Sequence, residues 1–290
     1  MAMTYQERLQ QSAQEVGNVV CMGLDPQVET LLASDLDLRS SINAHFQQLF
    51  RRMALSGLIP SAFKPNLGYF ACLDNPREDD FSGSQALADL LDMVENFFPG
   101  IPLILDSKRG DIARSSLNYA REAFEVWRSD AVTVAPYMGS DSVQPFIDFT
   151  DKGVYILNRT SNPGGKDLQN LILDSQRPVY EEVARQIIAY NQNRGCVGAV
   201  VGATNPQELM QIARLYANEH VPLLIPGVGN QGGSAVEVMQ ILRSVGYPVV
   251  LARINSSSAL THPWKKGAAP DDWLDQCEAN LRMLITECAI

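Results

Sequence analysis

The sequence predicts an α/β protein folded as a closed (β/α)8 barrel, and three observations carry that expectation. Eight short apolar runs recur along 290 residues, alternating with stretches of helical, amphipathic period. Such regular alternation predicts a parallel sheet, and eight units favour closure over an open, doubly wound sheet. Polar or glycine-rich segments follow every run, at the face where barrels of this kind place their ligand sites. No Pro/Ser-rich linker or composition break divides the chain. Residues 1–290 therefore read as one domain with a flanking helix at each end.

Taken in order, a helix over 5–15 precedes the first strand, 19–23, which is followed by Asp25. A helix over 41–56 leads to the second strand, 59–64, ending at Lys64 in Phe63-Lys64-Pro65-Asn66. A helix over 84–98 leads to the third strand, 103–106, where the apolar Leu103, Ile104 and Leu105 give way to Asp106, Lys108 and Asp111. A helix over 112–129 precedes the fourth strand, 131–135, and its loop Pro136-Tyr137-Met138-Gly139. The fifth strand, 154–157, ends in Asn158-Arg159-Thr160-Ser161-Asn162 and is followed by a helix over 177–194. The sixth, 198–201, ends in Gly202-Ala203-Thr204 before a helix over 206–217. The seventh, 222–225, opens into Pro226-Gly227-Val228-Gly229-Asn230-Gln231-Gly232-Gly233 and a helix over 234–245. The eighth, 248–252, leads to Asn255-Ser256-Ser257-Ser258, and a helix over 273–287 closes the chain.

Composition excludes several classes of function. A net charge of −10 argues against a nucleic-acid or anionic-membrane surface, while leaving room for a local basic pocket. The first residues carry no apolar signal core, and no stretch approaches the ~18 apolar residues of a membrane span. Cys21, Cys72, Cys196, Cys277 and Cys288 lie far apart, odd in number and without a C-x-x-C pair. That usage fits a reduced, cytoplasmic protein better than a disulfide framework or a zinc site. His45, His220 and His262 are equally dispersed, which disfavours a histidine metal site or a Ser-His-Asp triad.

The charges at the strand ends point to chemistry. Side chains two apart on a strand share a face, so Asp106 and Lys108 emerge together from a buried strand. As a stability device such a pair is costly. As a reactive group, a Lys held between carboxylates keeps its proton and has its basicity tuned. Lys64, Asp106, Lys108 and Asp111 alternate in sign and can hold one another ionised. This network could present an ammonium to a developing carbanion, giving decarboxylation with neither a metal nor an electron-sink cofactor. A Schiff base would need a neutral amine, which two neighbouring carboxylates oppose. The loop Gly227-x-Gly229-x-Gln231-Gly232-Gly233 has the form of an anion cradle, with amide N–H groups and a helix N-terminus facing a phosphate.

These residues resemble a known family. The motif Asp106-x-Lys108-x-x-Asp111 is similar to that of orotidine 5′-monophosphate decarboxylases, and the longer run 105–112 resembles their bacterial type 2 subfamily. So do Gly23-Leu24-Asp25-Pro26, Phe63-Lys64-Pro65-Asn66, Arg159-Thr160-Ser161-Asn162 and Pro226-Gly227-Val228-Gly229, in family order across nearly the whole chain. The resemblance implies a (β/α)8 barrel without cofactor or metal, acting on orotidine 5′-monophosphate to give UMP in pyrimidine biosynthesis. It also implies a homodimer with shared active sites. By position, Lys108 would protonate C6, Asp106 would face the substrate carboxylate, and Asp111 would reach into the partner's site. Asp25 and Lys64 would hold the ribose, Ser161 the pyrimidine edge, and Gly229, Gln231 and Gly232 the phosphate.

One departure from the family stands out. An Arg is expected just beyond the eighth strand to grip the phosphate, and Ser258 occupies that place. Arg253 is the nearest Arg and is expected to turn toward the barrel mouth and supply the missing charge, the alternative being Ser258 with backbone amides. Two other functions compete: a Mg²⁺-dependent phosphosugar barrel, and a barrel that binds a nucleotide without turning it over.

Overall fold

The computed structural model describes residues 3–31, 36–194, 196–229, 232–264 and 266–290, and in it strands and helices alternate as expected. The strands are β1 (Val20–Gly23), β2 (Ala62–Lys64), β3 (Ile104–Arg109), β4 (Ala131–Val134), β5 (Gly153–Arg159), β6 (Val197–Val201), β7 (Leu223–Ile225) and β8 (Ala252–Ser256). The first helices are α1 (Tyr5–Val16), α2 (Leu38–Ser56), α3 (Leu67–Ala71), α4 (Ser82–Phe97), α5 (Ala113–Arg121) and α6 (Ser140–Ile147). They are followed by α7 (Lys166–Gln169), α8 (Val179–Arg194), α9 (Pro206–Ala217), α10 (Ala235–Ser244), α11 (Ser258–Thr261) and α12 (Trp273–Glu287).

The strands pair in parallel in the order β2-β1-β8-β7-β6-β5-β4-β3. The two ends of that sheet meet through single bridges, Phe63 with Leu103 and Asn66 with Asp106. There the Phe63 N–H donates to the Pro102 carbonyl at 3.0 Å and the Asp106 N–H to the Pro65 carbonyl at 2.9 Å. The ring is thereby joined, and a closed sheet has no free edge to protect.

Alternate strand positions point inward. Cys21, Ala62, Ile104, Ala131, Tyr155, Val200 and Leu224 form the barrel interior, packed with Tyr5 and Leu9 of α1. Helix α1 therefore stoppers one end of the barrel. A capping box starts it, with the Glu7 N–H on Thr4 Oγ1 at 3.3 Å and the Thr4 N–H on Glu7 Oε2 at 2.8 Å. Gly153 leaves room for the stopper, because a Cβ there would lie 2.3 Å from the Tyr5 ring. Outward-facing strand residues such as Met22, Phe63 and Ile156 join the larger core under the helices. No helix among the described residues is long and apolar enough to cross a membrane.

The eighth strand differs from the expectation. Val249–Leu251 forms a 3-10 turn, and β8 begins only at Ala252. The true strand carries Arg253 and Asn255 at its inward positions, so it has no apolar run for periodicity to detect. Val249 and Val250 instead pack against the outer core. The helix expected to reach residue 129 is α-helical only to Arg121 and then widens into a π turn over Glu122–Val126. Helix α6, short and containing Pro145, has no counterpart among the elements expected from the sequence.

Candidate active site

The C-terminal ends of the strands surround a cavity of about 450 Å³. Asp25, Lys64, Asp106, Lys108 and Ser161, all singled out from the sequence, line it. At its floor stands the Asp106 carboxylate. Its Oδ2 accepts from Lys64 Nζ at 2.7 Å, and its Oδ1 accepts from Lys108 Nζ at 2.6 Å and Thr133 Oγ1 at 2.8 Å. Lys64 and Asp106 are almost wholly buried, whereas the Lys108 side chain remains 47% exposed to the cavity mouth.

Burial works against charge on Asp106, but the two ammonium groups outweigh it and hold the carboxyl well below the usual carboxylate range. Burial likewise opposes the charge on Lys64, and the carboxylates of Asp106 and Asp25 overcome it, raising its pKa above that of an ordinary lysine. Asp106 and Lys64 thus both stay charged throughout the neutral range. Asp25 is anchored separately, accepting from the Asn66 N–H at 3.1 Å and the Ser257 hydroxyl at 2.7 Å. It ties the ends of β1, β2 and β8 together beside Lys64.

Ser161 reaches the rim because Gly202 lets the β5 and β6 ends approach. A Cβ on Gly202 would lie 2.6 Å from Ser161 Cα. The Ser161 carbonyl also accepts from the Thr204 hydroxyl at 2.8 Å.

Other expected residues fall elsewhere. Asp111 does not line this cavity, and its Oδ1 accepts the Ile112 N–H at 2.7 Å on a partly exposed segment. In the loop after β7, Gly227, Gly229 and Gly232 all take positive φ values, which explains the glycines. The amides of Gly229 and Gly232 donate to the Gly233 and Gly229 carbonyls at 3.1 and 2.8 Å, within the loop itself. Gln231 lies outside the described residues.

Arg253 does not reach the mouth, contrary to what the sequence predicts for it. Its side chain is fully buried below Asn255, at the end closed by α1. The guanidinium donates to the Leu9 carbonyl at 2.6 Å, Ser61 at 3.2 Å, and Ala252 and Val250 at 2.7 and 3.2 Å. Inward positions two apart on a strand lie at different depths, and residue 253 is the deeper one. Ser258 does line the cavity, with Ser256, Ser257 and Gly227.

Thr133 escaped the sequence reading, whereas Asn255 and Ser257 entered it only within the polar segment after the eighth strand, without individual roles. Thr133 is a single polar residue in an apolar strand, a signal that was available. Asn255 is 8% exposed on the cavity wall, and its Oδ1 meets no donor among the described residues.

Known proteins resemble this chain over most of its length. Residues 80–242 match the family described as "Orotidine 5'-phosphate decarboxylase / HUMPS family". The chain is 40% identical over 260 residues to the orotidine 5'-phosphate decarboxylase of Ralstonia pickettii, covering 90% of each protein. Among solved structures it resembles Leishmania donovani OMP decarboxylase, with a TM-score of 0.75, 29% identity and 98% and 99% of the two chains covered. It also resembles Leishmania donovani UMP synthase, with a TM-score of 0.77 and 31% identity, where it spans 98% of its own length and 56% of that chain.

Proposed function

The chain belongs to the orotidine 5′-phosphate decarboxylase / HUMPS family, and we propose that it removes CO₂ from orotidine 5′-monophosphate without a metal, with Lys108 as proton donor. The product would be UMP, and the step belongs to pyrimidine biosynthesis. The single observation that carries this reading is the Lys64–Asp106–Lys108 array on the cavity floor.

Loss of CO₂ from C6 leaves an electron pair in an orbital the pyrimidine ring cannot delocalise. Catalysis must come from charge placed in advance, within the ~8–23 kcal/mol span of enzymatic barrier lowering. The Lys108 ammonium attracts the carbanion far more than the neutral ring that precedes it, which is stabilisation specific to the transition state. It then delivers its proton to C6. Asp106 would repel the substrate carboxylate and be relieved as CO₂ departs, a ground-state contribution. Both Asp106 oxygens are already engaged by ammonium and hydroxyl donors, which favours this role over that of a Mg²⁺ ligand.

Asp25 and Lys64 would hold the ribose hydroxyls and Ser161 the pyrimidine edge. The phosphate would sit between the ends of β7 and β8, over Gly227 and Ser256–Ser258. Gly229 and Gly232 would exchange their intraloop carbonyls for phosphate oxygens, joined by Gln231. Asp111 would serve the site of a second copy in a homodimer. Exposed apolar side chains on the neighbouring loops, Ile112 (51%), Tyr137 (83%) and Met138 (48%), support such a contact. Cys21, Cys196, Cys277 and Cys288 are buried free thiols, and a reduced, cytoplasmic setting is part of the proposal.

The test is ultraviolet detection of UMP formation from orotidine 5′-monophosphate in the presence of a chelator. Undiminished turnover is expected. Turnover abolished by the chelator would support the metal-dependent relatives, and binding without turnover would support a nucleotide-binding barrel. Arg253→Met separates structure from phosphate binding. It removes a donor from four carbonyls, of which Ser61 keeps the Ser12 hydroxyl, and should destabilise the fold by on the order of 3 kcal/mol. KM should stay within about threefold of native, since the side chain lies below the cavity. A KM rise of about tenfold or more, with stability unchanged, would return Arg253 to the phosphate.

A further inference from the structure

We propose that Thr133 is a positioning residue for the proton donor, its hydroxyl clipping the bulged end of β3 so that Asp106 and Lys108 hold their working geometry. The proposal rests on the decarboxylase reading and adds a residue to which that reading gives no role.

Strands β3 and β4 pair regularly from Ile104 with Ala131 to Leu105 with Val132, and pairing resumes only at Arg109 with Val134. Strand β3 takes four steps where β4 takes two, so its backbone bulges across Asp106, Ser107 and Lys108. Two consequences follow from the bulge. The N–H groups of Ser107 and Lys108 lose their ladder partners, and these part-buried amides are left to find another acceptor. Lys108 also adopts φ +47°, the left-handed region that residues with side chains rarely occupy unless their surroundings hold them there.

Thr133 meets both demands. It stands at the skipped position of β4 and is 1% exposed. Its Oγ1 accepts the Ser107 N–H at 3.1 Å and the Lys108 N–H at 3.0 Å. A hydroxyl has two lone pairs and one proton. With both lone pairs taken by backbone amides, the proton has one direction left and goes to Asp106 Oδ1, 2.8 Å away. The same carboxylate oxygen receives Lys108 Nζ at 2.6 Å. One side chain thus fixes the backbone from which the ammonium springs and the carboxylate against which it rests. Nothing in the packing asks for a hydroxyl here. Val132 and Val134 flank the position, and a valine at 133 would have nearly the same shape.

The consequence falls on catalysis rather than binding. If the bulge relaxes, Lys108 keeps its charge but loses its aim, and small misplacements of a reacting group are costly in rate. Thr133→Val should lower kcat by about tenfold or more with KM within about threefold, and Thr133→Ser should restore kcat to within about threefold of native. Hydrogen exchange gives a readout independent of turnover: the Ser107 and Lys108 amides should exchange about tenfold faster in Thr133→Val and at native rates in Thr133→Ser. Native exchange in Thr133→Val overturns the clip whatever the chain's activity. A native chain that shows protected amides but no turnover faults the decarboxylase reading and leaves the clip standing. Parallel losses in kcat and UMP affinity, or a serine variant as impaired as the valine one, would make Thr133 a binding or purely structural residue. Should the valine chain not fold, Thr133→Cys keeps the volume with a far weaker donor and acceptor. Equal kcat and exchange in the cysteine and serine variants then overturn the proposal.

Discussion

Lys108→Ala is expected to lose nearly all turnover of orotidine 5′-monophosphate while still folding and still binding UMP. The side chain is half exposed at the cavity mouth, so little of the core depends on it. Asp106 keeps Lys64 and Thr133 as partners in the variant, and its carboxylate stays held. What disappears is the ammonium proposed as the proton donor to C6. Positioned acids alone contribute about 10²–10⁴-fold, and in the proposed mechanism the same ammonium would also supply the charge that stabilises the carbanion. Because that attraction exists mainly in the transition state, the loss belongs in kcat rather than KM. Steady-state kinetics read it directly. A variant retaining more than about a tenth of native kcat, roughly 1.4 kcal/mol, would remove Lys108 from the donor role.

A second large effect should come from mixing two dead enzymes. Homodimers of Lys108→Ala and of Asp111→Ala are each expected to be nearly inactive. After subunit exchange, a heterodimer holds one site with both lesions and one site with neither. Random exchange should therefore restore up to about a quarter of native activity, since half the dimers are mixed and each has one intact site. The geometry behind this is the position of Asp111, which does not line the cavity of its own chain. Mass spectrometry of differently tagged chains would verify exchange. Mixed dimers without recovered activity would show that Asp111 acts within its own subunit.

Much of the site was legible along the chain because its charged groups end consecutive strands. Lys64 closes β2, and Asp106 and Lys108 close β3, so adjacent strands bring them together once the sheet is parallel. Alternating charge after a buried run has few structural uses, and that made the array readable. Arg253 was misread for a definable reason. Its strand has polar inward positions, so the apolar segment before it was taken for the strand, and the depth of residue 253 was lost with the register. The glycines after β7 were rightly marked as special. Their positive φ values serve the turn first, with two of their amides bonded inside the loop.

By itself the sequence determined the barrel architecture, the face that carries the site, and the ammonium–carboxylate chemistry. Each of these is written in neighbours along the chain: apolar period, turn glycines, and charges one or two residues apart. Only the tertiary structure decided which groups those charges meet. Thr133 reaches Asp106 across 27 positions of sequence, and Arg253 reaches the Leu9 carbonyl across 244. Such pairings depend on strand register and on a bulge in β3. Both are set by how the whole ring closes and packs, because shifting a strand by one residue turns every side chain to the opposite face.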